Sequence, residues 1–189
     1  MDCHNQSGNK RKDRYRLHFN FPISVDNRPG TDGFSSATSD CLSGIRRILS
    51  CSRSYIANCA TPISDIFALE AIRLLYKYLP VAVKDGNNLK ARAKVAWAST
   101  LAGMVESTSS CTSEHSLEHA LSAYYPALPH GAGLIAISEA YFSTFIYDRT
   151  KRYMRMADVM TGRKNLNPEH FYRCFGENAE GMQCPRFEA

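Results

Sequence analysis

The sequence predicts an all-α fold, a helical bundle with an irregular tail at each end. Three observations carry this expectation. Thr61 followed by Pro62 is a helix start, and the run PISDIFALEAIRLLYKYLP behind it sets Ile66, Leu69, Ile72 and Leu75 along one side. The Asp85-Gly86 pair then turns the chain into a second stretch that is apolar on most faces. The texture also changes twice: residues 1–54 are rich in Ser, Asn, Asp and Arg with little periodicity, and the pattern dissolves again after about His170. The expected organisation is an irregular segment over 1–54, a helical domain over 55–169 and an irregular tail over 170–189.

The elements follow in order. A first helix runs from Pro62 to Pro80, which ends it because proline lacks the N–H that the ladder needs. A second, roughly Asn88 to Val105, carries Val95, Ala96, Trp97, Ala98, Leu101 and Ala102 and reads as central and buried. Trp97, with Tyr124 and Tyr125, reads as core or pocket wall. The third helix is suggested by Ser113 as N-cap and by the apolar Leu117, Leu121 and Tyr124, before a loop with Pro126 and Pro129. A fourth runs from Gly131 through Leu134, Ile135, Ile137, Ala140, Phe142 and Phe145. A further helical piece spans Arg152 to Met160, with Lys151, Arg152 and Arg155 on a solvated face.

Composition bounds the function. With 189 residues, 44% hydrophobic and 22% charged, the chain suits one soluble globular domain with its own core. The N-terminus has no apolar stretch of the kind a signal peptide needs, and no run is long enough to span a bilayer, so no membrane and a cytoplasmic setting are expected. Much of the net charge of +5 lies in Lys10 to Arg16, where Tyr15 alone makes no stacking platform, so no nucleic-acid partner is expected. Seven cysteines, an odd number without a C-x-x-C pair, suit thiols better than a disulfide framework.

The stretch with chemistry in it is Ser113 to Ile135. His115 and His119 lie four apart, so on a helix both imidazoles leave one face, and His130 is presented from the start of the next helix. That is metal-ligand spacing, although a helical histidine taken alone is more often a structural or surface residue. The segment His115 to His119 also matches H-x-x-E-H, in which two histidines bind zinc and the glutamate, here Glu118, acts as base. A helical interaction module without chemistry is the blander alternative.

Taken together, the ALEAIRLL helix, the YLP-x-AV-x-DG turn, the AR-x-x-x-x-AS-x-LAG helix, the H-x-x-x-H pair and the PHG histidine resemble the C-terminal helical domain of the iron-containing alcohol dehydrogenases. The resemblance covers about Tyr55 to Asn167. It implies oxidation of a small alcohol, or reduction of an aldehyde, with NAD or NADP, and a protein that is often homo-oligomeric. It further implies Fe2+ or Zn2+ held by an Asp and a His on one helix together with His115 and His130, while His119 lines the substrate site and helps relay the alcohol proton. Imidazole plus one carboxylate suits either metal.

Two departures follow from the same register. The family's G-[FIM]-D-A-x-x-H-A-x-E-A-Y segment falls on Gly44 to Tyr55, which places Arg46 at the Asp position and Ser50 at the His position. No glycine-rich phosphate loop is present either, since Pro29-Gly30 and Gly33 do not form G-x-G-x-x-G. The expectation is a frame-damaged member of the family. Back-translated and slid by one base, Arg46-Arg47 can read Asp-Ala and Ser50 to Arg53 can read His-Ala-Val-Glu, and the same slide from Phe171 onward recovers text of the family's last helices. Such a chain is expected to be inactive, without cofactor binding of the family's kind.

Overall fold

A computed structural model describes residues 37–110, 112–164 and 167–181. Among the described residues it has seven helices and no strand: α1 (Ala37–Ile56), α2 (Pro62–Lys84), α3 (Leu89–Ser109), α4 (Glu114–Tyr124), α5 (His130–Phe145), α6 (Thr150–Thr161) and α7 (His170–Gly181). The all-helical expectation holds. No helix among the described residues is long and apolar enough to cross a membrane.

Local chemistry sets most boundaries. Thr61 Oγ1 accepts from the Ser64 N–H at 3.2 Å while Ser64 Oγ accepts from the Thr61 N–H at 2.8 Å, a reciprocal cap with Pro62 in the first turn. Asn88 Oδ1 accepts from the Ala91 N–H at 3.0 Å to open α3. Gly162, at φ 69°, closes α6 with its N–H on the Asp158 carbonyl, a left-handed cap that glycine adopts without strain. One boundary differs from expectation. Pro80 lies inside α2, which continues to Lys84 because the buried Leu79 and Ala82 anchor the last turn and outweigh one lost hydrogen bond.

Helices α1, α2 and α3 pack together as the centre of the bundle. Ile45, Ile48 and Leu49 of α1 are buried with Ala68, Ile72, Leu75 and Leu79 of α2 and with Ala98, Leu101 and Val105 of α3. A Cβ on Gly44 would collide with the side chain of Leu79, so the glycine is what lets α2 lie so close to α1. At the far side Phe142, Tyr153 and Phe171 form an edge-to-face trio with ring centroids 5.2–6.0 Å apart, joining α5, α6 and α7.

Several expectations are corrected. Residues 37–54 are not irregular but belong to α1 and supply much of the core, and α7 likewise replaces irregular chain from His170. The polar residues of α1 disguised it, yet they are satisfied inside: Ser52 Oγ donates to the Ile48 carbonyl at 2.8 Å and Ser54 Oγ to the Ser110 carbonyl at 2.8 Å. Residues 1–36 and 182–189 lie outside the described residues, and with them the basic run Lys10 to Arg16, Pro29-Gly30 and Gly33. Trp97, Tyr124 and Tyr125, read as core or pocket wall, are exposed and outside the core, and so is Ile66. Arg152 is no solvated residue, since its Nη1 donates to the Tyr55 carbonyl at 2.6 Å and to Asp65 Oδ1 at 2.8 Å with the guanidinium over the Tyr55 ring. Cys41 is disulfide-bonded, against the expectation of thiols throughout.

Candidate metal centre

Helix α4 faces the bundle with its acids, not its apolar residues. Glu114 and Glu118 are each 0% exposed, whereas Leu117 is 55% and Tyr124 82% exposed. The apolar Leu117 and Tyr124 of this helix therefore face solvent. Each acid has a cationic or protonatable partner, as burial of a carboxylate requires. Arg53 of α1, itself fully buried, donates from Nη1 to Glu114 Oε2 at 2.9 Å. Glu118 meets Nδ1 of His130 and accepts from Ser122 Oγ at 2.5 Å. Gly133 makes room for this, because a Cβ there would meet Glu118 Oε1 at 2.8 Å. Ser113 heads α4 without capping it, and its hydroxyl pairs instead with that of Tyr141 at 3.2 Å.

The three histidines of the Ser113–Ile135 stretch meet at this junction. Ring centroids are 4.7 Å apart for His115 and His119, 4.7 Å for His115 and His130, and 5.6 Å for His119 and His130. One nitrogen from each lies within 4.8 Å of the others, with His119 exposed and the other two half-buried. His115 and His130 therefore come together as their spacing predicted, and His119 joins them on the solvent side.

The charge around the cluster is mixed. Burial pushes His115 down to about 3, with Arg53, the two other histidines and Arg46 adding to the effect. Burial also lowers His130, against the opposing pull of Glu118. Glu114 is raised by burial although Arg53 works the other way. Arg46, half-buried, is lowered by burial and by Arg53, while Glu106 favours its charge.

These residues do not fit the divalent metal that the family resemblance implies. Arg46, Ser50 and Arg53 recur at i, i+4 and i+7 along α1, hence on one face, and two of them add positive charge at the histidines. Among the described residues the set that could hold a metal is His115, His119 and His130 with no carboxylate in it, and Arg53 reaches His115 from the α1 face. The H-x-x-E-H reading is also corrected: Glu118 is fully buried against His130 and Ser122, so it has no opening from which to activate water on a zinc held by His115 and His119. Sequence reasoning missed Glu114 and Arg53 as a pair. Their only signal was the position of Arg53 one turn beyond Ser50, on the face already singled out.

The sequence model of the Fe-containing alcohol dehydrogenase family, C-terminal, matches residues 42–177, which extends past the 55–169 segment on both sides and takes in most of α1. The chain is 46% identical over 115 residues to the long-chain primary alcohol dehydrogenase AdhA of Thermoanaerobacter ethanolicus, covering 60% of this chain and 29% of that protein. It is 37% identical over 166 residues to alcohol dehydrogenase 4 of Saccharomyces cerevisiae, covering 87% of this chain and 43% of that one. The chain thus spans less than half the length of these relatives. In fold it is similar to a solved 1,3-propanediol oxidoreductase, with a TM-score of 0.76 and 24% identity over 81% of this chain and 41% of that one.

Proposed function

Because the chain belongs to the Fe-containing alcohol dehydrogenase family and carries its C-terminal helical domain, we propose that it is the metal-binding portion of an alcohol oxidoreductase, present here without a working donor set. The observation that supports this reading is the convergence of His115, His119 and His130 on α4 and α5 within the matched region. The intact protein would oxidise a small alcohol, or reduce an aldehyde, with NAD or NADP, as a cytoplasmic and often homo-oligomeric enzyme. His115 and His130 would be two of its metal ligands, with Fe2+ or Zn2+ polarising the substrate oxygen when bound. His119, the exposed member, would line the substrate site and relay the alcohol proton.

The same reading makes this chain a frame-damaged and inactive form. Arg46, Ser50 and Arg53 stand where the family's Asp, His and Glu are expected, and one common slide of the coding frame supplies all three. The nucleotide sequence beneath Arg46 to Arg53 is the first test, with a continuing family frame expected there and its absence refuting the slide. A protein test runs alongside. The variant Arg46→Asp/Ser50→His/Arg53→Glu is expected to take up one Fe2+ or Zn2+ per chain by equilibrium dialysis, and a helical variant that takes up none would overturn the donor reading.

A further inference from the structure

Arg53 does more than add charge. Its guanidinium has N–H groups and no acceptor, so in the 3.4 Å contact between Nη2 and Nδ1 of His115 the ring nitrogen must be the acceptor. A neutral imidazole that accepts at Nδ1 carries its proton on Nε2. Both nitrogens of His115 are then spoken for, one lone pair by the arginine and the other by a proton. His130 is in the opposite position: its Nδ1 lies against the Glu118 carboxylate, which has no proton to donate and so favours a proton on Nδ1, leaving the Nε2 lone pair open, as in a metal-ready histidine. Two buried acids on one helix thus act in opposite senses. Glu118 orients His130 directly, whereas Glu114 holds Arg53 at 2.9 Å and so turns a donor toward His115.

We propose that Arg53, anchored by Glu114, locks His115 in the Nε2–H tautomer and so closes the histidine cluster to divalent metal, leaving His119 and His130 as two ligands where three imidazoles converge. Arg53 is a positioning residue acting through His115. It links α1 to α4 with a guanidinium, and the link needs no ion. The family reading enters only in the choice of zinc as probe.

The test uses the full chain. Long-range ring 15N–1H spectra near neutral pH are expected to show His115 protonated at Nε2 and bare at Nδ1, and His130 the reverse. Zinc titration is expected to show no one-to-one binding that depends on His115. In Arg53→Met/Glu114→Gln, which removes the donor without stranding a buried charge, zinc affinity is expected to rise by about tenfold or more, the scale on which partners of metal-bound histidines act. A His115 proton on Nδ1 in the unmodified chain would overturn the proposal. So would tight one-to-one zinc binding lost in His115→Ala, or a helical double variant with no gain in affinity. Should the double variant lose its helical circular dichroism, the ring spectrum of the unmodified chain decides alone. Failure of the donor reading has a different signature, an unresponsive Arg46→Asp/Ser50→His/Arg53→Glu variant beside an Nε2–H His115.

Discussion

His115 links the acid sensitivity of the fold to its buried arginine. Held down to about 3 mainly by burial and then by Arg53, it refuses in the folded state a proton that it accepts near its ordinary value of 6.5 once unfolded. The sign follows: this term is absent above about pH 6.5, and stability is lost as pH falls from there toward 3, at up to about 1.4 kcal/mol per pH unit. The lowering of His130 acts in the same direction, while the raised carboxyl of Glu114 acts oppositely once pH approaches its range. Urea unfolding of the wild type and of His115→Gln between about pH 5 and 7 isolates the effect. The variant is expected to lose stability less steeply, and parallel curves would show that His115 takes up its proton without unfolding.

Among the elements, α1 is where sequence and structure part most, and the reason is physical. Between 62 and 161 the helices were legible because apolar spacing, the Thr61 cap with Pro62, and the Asp85-Gly86 turn all point the same way. In α1 the buried Ile45, Ile48 and Leu49 alternate with Arg46, Arg47, Ser50, Ser52 and Arg53, so a reading that sends polar residues outward finds no stripe. The histidine cluster was legible from spacing alone, since i, i+4 and a helix start fix directions without tertiary information. The Arg53–Glu114 pair was not, because only packing brings residues 61 apart together. The core role of α1 makes a direct prediction. Ile48→Ala, at a 1% exposed site in the core cluster, is expected to destabilise the fold by about 2–5 kcal/mol in denaturant melts. A change within about 0.5 kcal/mol, the scale of surface substitutions, would mean that α1 is no part of the folded core.

Across the whole molecule, stability should not be uniform, and the histidine cluster lies on its weaker side. Helices α1, α2 and α3 bury apolar side chains against one another, whereas α4 leans chiefly on α5 and turns Leu117 and Tyr124 to solvent. What α4 buries is Glu114 and Glu118, so polar contacts hold it where apolar area holds the others: Arg53 to Glu114, His130 to Glu118, Ser113 to Tyr141. Buried ion pairs add little net stability, because desolvation offsets most of their attraction, yet removing one partner costs about 3–5 kcal/mol. Local opening should therefore start at α4, with its apolar outer face gaining nothing from the bundle. Native-state hydrogen exchange is expected to show the α4 amides from Leu117 to Tyr124 opening at lower free energy than those in the middle of α2. Arg53→Met alone, which strands Glu114, is expected to lower α4 protection further and more than Arg53→Met/Glu114→Gln does. Equal protection in α2 and α4 would mean that the polar contacts bind α4 as firmly as a hydrophobic core, and that the cluster sits in the rigid body of the fold.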